Sequence, residues 1–132
     1  MDARTVPASK TRLWVGRIIS VLPVLFLLVD GAMKLVKPEV VVKATVELGY
    51  AETVIVPLGV VLLACTILYL VPSTAVFGAI LLTGYLGGAV ATQVRAGQGP
   101  FAILFPVVFG VLLWGGLTLR DDRLHRLIFQ RD

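Results

Sequence analysis

The chain has 132 residues, of which 58% are hydrophobic and 15% charged, and its mean hydropathy is +0.94. Soluble domains carry roughly 25% charged residues, so this composition excludes a water-soluble globule and indicates contact with lipid. The formal net charge of +4 does not indicate nucleic-acid binding, because the basic residues lie at the ends of apolar segments and form no stripe with aromatic residues.

Four apolar segments predict an all-α bundle of four transmembrane helices. A bilayer core about 30 Å thick requires roughly 20 apolar residues for each helix, and four segments approach that length. Their predicted bounds are residues 18–36, 53–71, 74–94 and 101–119, in a single membrane domain of residues 1–132. Helices are expected because backbone groups in lipid must pair within their own segment. The alternating segments of about ten residues that form a β-barrel do not occur.

The distribution of lysine and arginine predicts that both termini lie in the cytoplasm. Basic residues are concentrated in the two tails, residues 1–17 and 120–132. The tails contain Arg4, Lys10, Arg12, Arg17, Arg120, Arg123, Arg126 and Arg131. The opposite side has Lys34, Lys37, Lys43 and Arg95. Cytoplasmic segments carry the excess of positive charge, so the tails are expected inside. The first span is not expected to be a cleaved signal peptide, because no cleavage site of small residues follows it.

Two short segments outside the spans have their own predicted structure. Pro38 is suited to the first turn of a helix and Gly49 to its end, which predicts a short helix at the outer interface. The valines between them also allow an extended segment. In the carboxy-terminal tail, an apolar edge beside arginines predicts a segment lying on the inner membrane surface. That edge consists of Leu124, Leu127 and Ile128.

Glycines in the third span predict a helix-packing face, formed by Gly78, Gly84 and Gly88. Helices in lipid associate through close backbone approach at small residues. The alternative is that these glycines reflect only the high glycine content of membrane helices. Four aromatic residues near span ends are predicted to anchor at the membrane interface: Trp14, Tyr50, Tyr69 and Trp114. The only cysteine, Cys65, is expected to be a small buried hydrophobic residue.

An acid and a base interrupt the first span. If the span begins at Ile18, Asp30 lies about 18 Å into a core about 30 Å thick, where a lone carboxylate is costly. Three outcomes are open: Asp30 is protonated, it pairs with Lys34 four residues later, or it accepts hydrogen bonds from other helices. Gln93 and Arg95 are expected at a similar or shallower depth, which predicts an intramembrane polar cluster of these four residues. The cluster either fixes helix packing or binds a substrate, ion or quinone, unless Asp30 is simply interfacial.

Several stretches together resemble the DoxX-like family of small four-helix membrane proteins. The matching stretches are DGAMKLVKP at 30–38, ELGY at 47–50, LVPSTAVFGAILLTGYLGGAVATQVR at 70–95 and FPVVFGVLLWGGLTLRDDRLHRLI at 105–128. The resemblance implies a multi-pass protein, for which we expect the bacterial inner (cell) membrane. It also implies an accessory or chaperone-like role, or association with a quinone-linked oxidoreductase, since the family name comes from a small subunit of such an enzyme.

Two departures from the family pattern weaken a redox or proton-relay role. Many relatives have a glutamate early in the second span, where this chain has Leu62, and many read ATHVR where this chain has Gln93 in ATQVR. The only histidine, His125, lies in the tail, so no pair of axial haem ligands is available within the bundle. We therefore predict no catalytic residues, no metal site and no required cofactor, with a quinone as the alternative ligand.

The predicted spans, glycine face and polar cluster are compatible with three functions. The first is an accessory component that packs against a membrane partner or a second copy of the chain through its glycines. The second is a quinone-reactive or small-molecule-handling subunit that uses the Asp30 cluster. The third is a transporter of protons or small solutes, which would require an oligomer because four spans enclose little space.

Overall fold

The computed structural model describes residues 10–129, apart from the side chain of the last of these. Within that range the chain forms six α-helices and no strand. The helices are α1 (Lys10–Val36), α2 (Glu39–Glu47), α3 (Ile55–Leu70), α4 (Ala75–Arg95), α5 (Pro100–Arg120) and α6 (Asp122–Phe129). Single 3-10 turns, Glu52–Val54 and Pro72–Thr74, lead into α3 and α4. Of the predicted basic tails, residues 1–9 and 130–132 lie outside the described range.

The four predicted spans are confirmed as helices. Four helices are each long and apolar enough to cross a membrane: α1, α3, α4 and α5, where α3 and α4 are counted with the 3-10 turns that precede them. Only 28–33% of the most apolar window of each helix is buried inside the bundle, so most of its apolar side chains face outward and require lipid. The chain is an integral membrane protein. α1 begins before the predicted start of the span, because hydropathy marks the lipid-immersed part of a helix and not its end.

The segment after the first span is helical, as predicted. α1 ends where Lys37 adopts a positive φ of 58° and donates its N–H to the carbonyl of Met33 at 2.8 Å. Pro38 follows and disfavours a helical conformation in the residue before it. α2 lies between Pro38 and Gly49, whose φ of 98° suits a residue without Cβ, so the extended alternative is wrong.

The four long helices form a ring in which α1 packs mainly against α3 and α5, and α4 packs against the same two helices. Their inward side chains make one apolar core. Leu27, Leu62, Leu82, Leu113 and Leu117 are all at most 2% exposed. Cys65 is 7% exposed and belongs to this core, which confirms its prediction as a buried residue.

Glycines allow α1 to approach its two neighbours closely. At the crossing of α1 and α5, a Cβ on Gly16 would lie 2.8 Å from the carbonyl oxygen of Gly116. At the crossing of α1 and α3, a Cβ on Gly59 would lie 2.8 Å from the Cβ of Lys34 and 3.0 Å from the carbonyl oxygen of Gly31. Neither contact leaves room for a larger residue, so these glycines determine how closely the helices pack.

Tyr69 is not an interface anchor, and that prediction is wrong. Its side chain is fully buried, and its hydroxyl donates to the carbonyl of Leu113 at 2.5 Å. The hydroxyl of Ser20 lies 3.2 Å away and therefore donates to Tyr69, while Arg120 Nε donates to Ser20 Oγ at 3.2 Å. α4 lies directly against the backbone of α3 at this position, because a Cβ on Gly78 would lie 2.6 Å from the Cα of Tyr69. The position near a span end was therefore misleading, since a polar network between three helices satisfies the hydroxyl.

The carboxy-terminal segment is also helical, but its apolar edge is divided. Leu124 is 8% exposed and packs into the core, whereas Leu127 is 80% and Ile128 is 49% exposed. α6 packs against α5, and Asp122 accepts a hydrogen bond from Arg12 on α1 at 2.5 Å. Leu124 and this ion pair therefore help to hold the helix against the bundle. Its position on the inner membrane surface stays a prediction.

Candidate binding cavity beside Asp30 and Lys34

The acid and the base of the first span form an ion pair. Lys34 Nζ donates to Asp30 Oδ1 at 2.6 Å, so pairing is the outcome that the structure contains. The Lys34 side chain is 14% exposed and that of Asp30 is 34% exposed, so both side chains are partly buried. Gly59 positions the base, because its missing side chain lets α3 lie directly against the Cβ of Lys34.

The ion pair lines a cavity of about 400 Å³. α1 contributes Asp30 and Lys34, α4 contributes a face that runs from Gly84 to Gln93, and α3 and the segment after α1 complete the walls. The cavity thus combines two opposite charges with hydroxyl, amide and apolar groups. A cavity with a few convergent polar groups among apolar walls is typical of a small-molecule site.

Tyr50 holds the segment after α2 against α4. The hydroxyl of Thr92 donates to the carbonyl of Gly88 at 2.8 Å, so its oxygen accepts from the hydroxyl of Tyr50 at 2.5 Å. An ion pair of 3.3 Å between Lys37 and Glu52 joins the end of α1 to the turn before α3. The contact of Tyr50 with Thr92 fixes one wall of the cavity, and the ion pair holds the ends of the adjoining segment. The anchoring role predicted for Tyr50 stays a prediction.

Tyr85 and Gln93 also line the cavity, and their side chains have no hydrogen-bond partner within residues 10–129. The sequence prediction included Gln93 but missed Tyr85, and it treated Tyr50 only as an anchor. The sequence contained a pattern that could have indicated Tyr85. Tyr85, Ala89 and Thr92 are spaced by four and three residues and therefore share one helix face. These unpartnered groups are available to a ligand.

The predicted polar cluster is only partly assembled. Asp30, Lys34 and Gln93 line the same cavity, whereas Arg95 does not. The guanidinium of Arg95 lies against Gly49, where a Cβ would be 2.7 Å from its terminal nitrogen. Arg95 is the last residue of α4, so its side chain extends over the loop between α2 and α3 rather than into the bundle.

The predicted glycine face is divided as well. Gly78 is buried against α3, so it packs within the chain. For Gly84 and Gly88, a Cβ would have no described atom within 4 Å beyond the local helix, and both residues line the cavity. In this chain they leave space open rather than bring two helices together. Their packing against a partner stays a prediction.

The chemistry of the cavity is suited to holding a polar group. Lys34 uses one of its three ammonium hydrogens on Asp30, and the remaining two can be donated to an acceptor. The hydroxyl of Tyr85 is a further donor, and the amide of Gln93 both donates and accepts. No group of three or more histidine, cysteine, aspartate or glutamate side chains within the described range could hold a metal ion.

The model of the DoxX-like family matches residues 18–116, which is most of the chain. The chain belongs to the DoxX-like family. No curated protein and no solved structure gives a significant match. The matched range of this DoxX-like protein contains all four predicted site residues, Asp30, Lys34, Gln93 and Arg95, together with the three predicted packing glycines.

Leu62 and Gln93, the two departures from the expected family pattern, have different surroundings in this DoxX-like protein. Leu62 is fully buried in the apolar core, while Gln93 lines the cavity beside the ion pair. A glutamate at position 62 would place a carboxylate among core leucines. The leucine instead makes this level of the bundle apolar and leaves Asp30 as the acidic side chain of the cavity.

Proposed function

We propose that this DoxX-like protein is a small-molecule-handling membrane protein that binds the polar head of its ligand in the cavity beside Asp30 and Lys34. One observation carries the proposal: the ion pair lies against about 400 Å³ of open space instead of being enclosed by packing side chains. A pair that served only to fix helix packing would be expected to be surrounded by closely packed groups. The glycines at positions 84 and 88 keep this space open.

The available donors favour a ligand with carbonyl oxygens. Lys34 and Tyr85 both have hydrogens to donate, and aromatic side chains from two segments, Tyr50 and Tyr85, supply flat apolar surfaces. The head of a quinone is a planar ring with carbonyl acceptors on opposite sides, and it matches this arrangement. We therefore propose a quinone as the ligand class, with the protein acting beside a membrane oxidoreductase.

Ligand binding is tested with a benzoquinone that has a short alkyl tail, titrated into the purified protein in detergent. Asp30→Asn removes the partner that orients Lys34, and it should weaken binding about tenfold or more, the cost of losing a hydrogen bond to a charged group. Circular dichroism should show that the variant keeps its helices. Quinone binding by Asp30→Asn equal to that of the unchanged protein would contradict the proposal.

A matched pair of glycine variants tests the space itself. Gly88→Leu introduces a side chain where nothing lies within 4 Å, so it should fill the cavity and abolish quinone binding without unfolding the bundle. Gly87→Leu is the control, because Gly87 is equally open but lines a different groove, between α4 and α5. If both variants bind quinone normally, the cavity is not the binding site.

An accessory role is the second candidate, and a specific observation favours it. Gly84, Gly87 and Gly88 present a surface of α4 on which no described atom outside the local helix lies within 4 Å of a Cβ. A helix of a partner protein or of a second copy could approach closely there. Gly84→Leu combined with Gly88→Leu should then reduce association on native gels. Loss of association with normal quinone binding would support this candidate and reject the first.

We further propose that the protein resides in a bacterial inner membrane with both termini in the cytoplasm. The excess of lysine and arginine in the two tails supports this orientation. A cysteine-reactive probe that does not cross membranes should label a cysteine introduced at Ser9 only after the cells are opened. Labelling of intact cells at that position would reverse the orientation.

A further inference from the structure

A second cavity extends along α1 from the level of Leu28 to Arg17, on the side away from the ion pair, and it has a different chemistry. Its volume is about 350 Å³, and it runs along α1 beside the ends of α3 and α5. Arg17 and Arg120 line it together with apolar side chains of α1, among them Val21, Leu25 and Leu28. The cavity is therefore an apolar groove with two guanidinium groups near one end.

Contacts within the protein hold both guanidinium groups in place. The group of Arg120 donates through Nε to Ser20 and lies over the ring of Tyr69, 4.9 Å from its centroid. The group of Arg17 lies over the ring of Trp14, 5.3 Å from its centroid. These contacts restrict the side chains without neutralising their charge.

Neither arginine has a carboxylate partner within residues 10–129, where the ion pairs are formed by Arg12, Lys34 and Lys37. Two positive charges that line one cavity attract an anion to it. Planar guanidinium groups bind phosphate oxygens in pairs of parallel hydrogen bonds. The arginine end of the groove is therefore complementary to a phosphate group.

The length of the groove indicates what is attached to that anion. From Arg17 to Leu28 the helix rises by about 16 Å, at 1.5 Å per residue. One leaflet is about 15 Å of a hydrocarbon core about 30 Å thick. A groove with charge at one end and apolar side chains over one leaflet matches a lipid with an anionic head and a hydrocarbon chain.

We propose that Arg17, Arg120 and the adjoining groove bind one anionic phospholipid from the leaflet on the side where α5 ends. The lipid phosphate lies between the guanidinium groups, and one acyl chain lies over Val21 and Leu25. This site is independent of the cavity beside Asp30. The lipid adds contacts between α1, α3 and α5 at the end where the buried network of Tyr69 already joins them.

The test is native mass spectrometry of the full chain, released from micelles that contain equal amounts of a phosphatidylglycerol and a phosphatidylcholine with the same acyl chains. The unchanged protein should retain the anionic lipid in preference to the zwitterionic one. Arg17→Gln should lower that preference about fivefold, the contribution of one basic residue at an anionic surface. Arg123→Gln is the charge-matched control, because Arg123 is exposed on α6 and does not line the groove.

A second pair of variants tests the apolar part of the groove. Leu25→Phe places a larger side chain in the groove and should reduce retention of phosphatidylglycerol, whereas Leu22→Phe on the outward surface should not. Equal retention of both lipids by the unchanged protein would overturn the proposal, as would equal losses in Arg17→Gln and Arg123→Gln. Displacement of the lipid by inorganic phosphate, with no effect of Leu25→Phe, would instead identify a site for a free anion and would also overturn it.

Discussion

Replacing Tyr69 by phenylalanine should destabilise the bundle measurably. The hydroxyl donates to the carbonyl of Leu113 at 2.5 Å and accepts from Ser20 at 3.2 Å, and phenylalanine removes both hydrogen bonds. Interhelical hydrogen bonds in membrane proteins average about 0.6 kcal/mol each, with a maximum near 1.7. Because the site is fully buried and Ser20 loses its acceptor, we expect the free energy of unfolding to fall by about 1–2 kcal/mol.

Reversible unfolding of the purified protein in mixed micelles with increasing dodecyl sulfate measures this change. Tyr85→Phe is the matched control, since Tyr85 is partly buried in the same bundle but its hydroxyl has no partner within the described residues. Its free energy of unfolding should change by less than about 0.5 kcal/mol. Equal effects of the two substitutions would refute the assignment of Tyr69 to a hydrogen-bonded network between three helices.

Three further predictions concern packing, charge and accessibility. Gly116→Ala should lower the free energy of unfolding by about 1–3 kcal/mol, because its Cβ would lie 2.9 Å from the carbonyl oxygen of Gly16. Gly115→Ala is the control and should change this free energy little in the same assay, because a Cβ there would have open space. Asp30→Asn should lower the free energy of unfolding by about 1–2 kcal/mol, because it leaves the charge of Lys34 unpaired. The double variant with Lys34→Met should recover most of that loss. If it recovers none, the unpaired charge of Lys34 is not the cause of the loss. Cys65 should react with a membrane-permeant maleimide only after denaturation, and rapid labelling in mild detergent would show that the core is open.

The location of the site was predictable in part. The helical spacing of Asp30 and Lys34 gave pairing as one of three possible outcomes, because residues four apart share a helix face. Gln93 was placed near them from its depth in the membrane alone. The sequence did not predict that Arg95 would lie outside the cavity, since the direction of a side chain at a helix end depends on the loop that it contacts. It also did not predict Tyr85, whose neighbours belong to other helices.

The packing of the glycines was also predictable only in part. A glycine pattern indicates where a helix is narrow, but it does not tell whether a neighbouring helix fills the space. Gly78 is covered by α3, whereas Gly84 and Gly88 face a cavity. Gly16 and Gly59, where α1 closely approaches α5 and α3, were not predicted to form a packing face.

Composition and hydropathy determined that the protein is surrounded by lipid and that it has four spans, because lipid cannot satisfy backbone groups. Pro38 and Gly49 favoured a short helix after the first span, although an extended segment was left open. These are properties of single segments, and each can be read along the chain. Tertiary structure alone decided that Tyr69 is buried, that the ion pair faces open space and that two arginines line one groove. Each of these facts depends on contacts between residues far apart in sequence, and the rotation of each helix about its axis is set by the helices that pack against it.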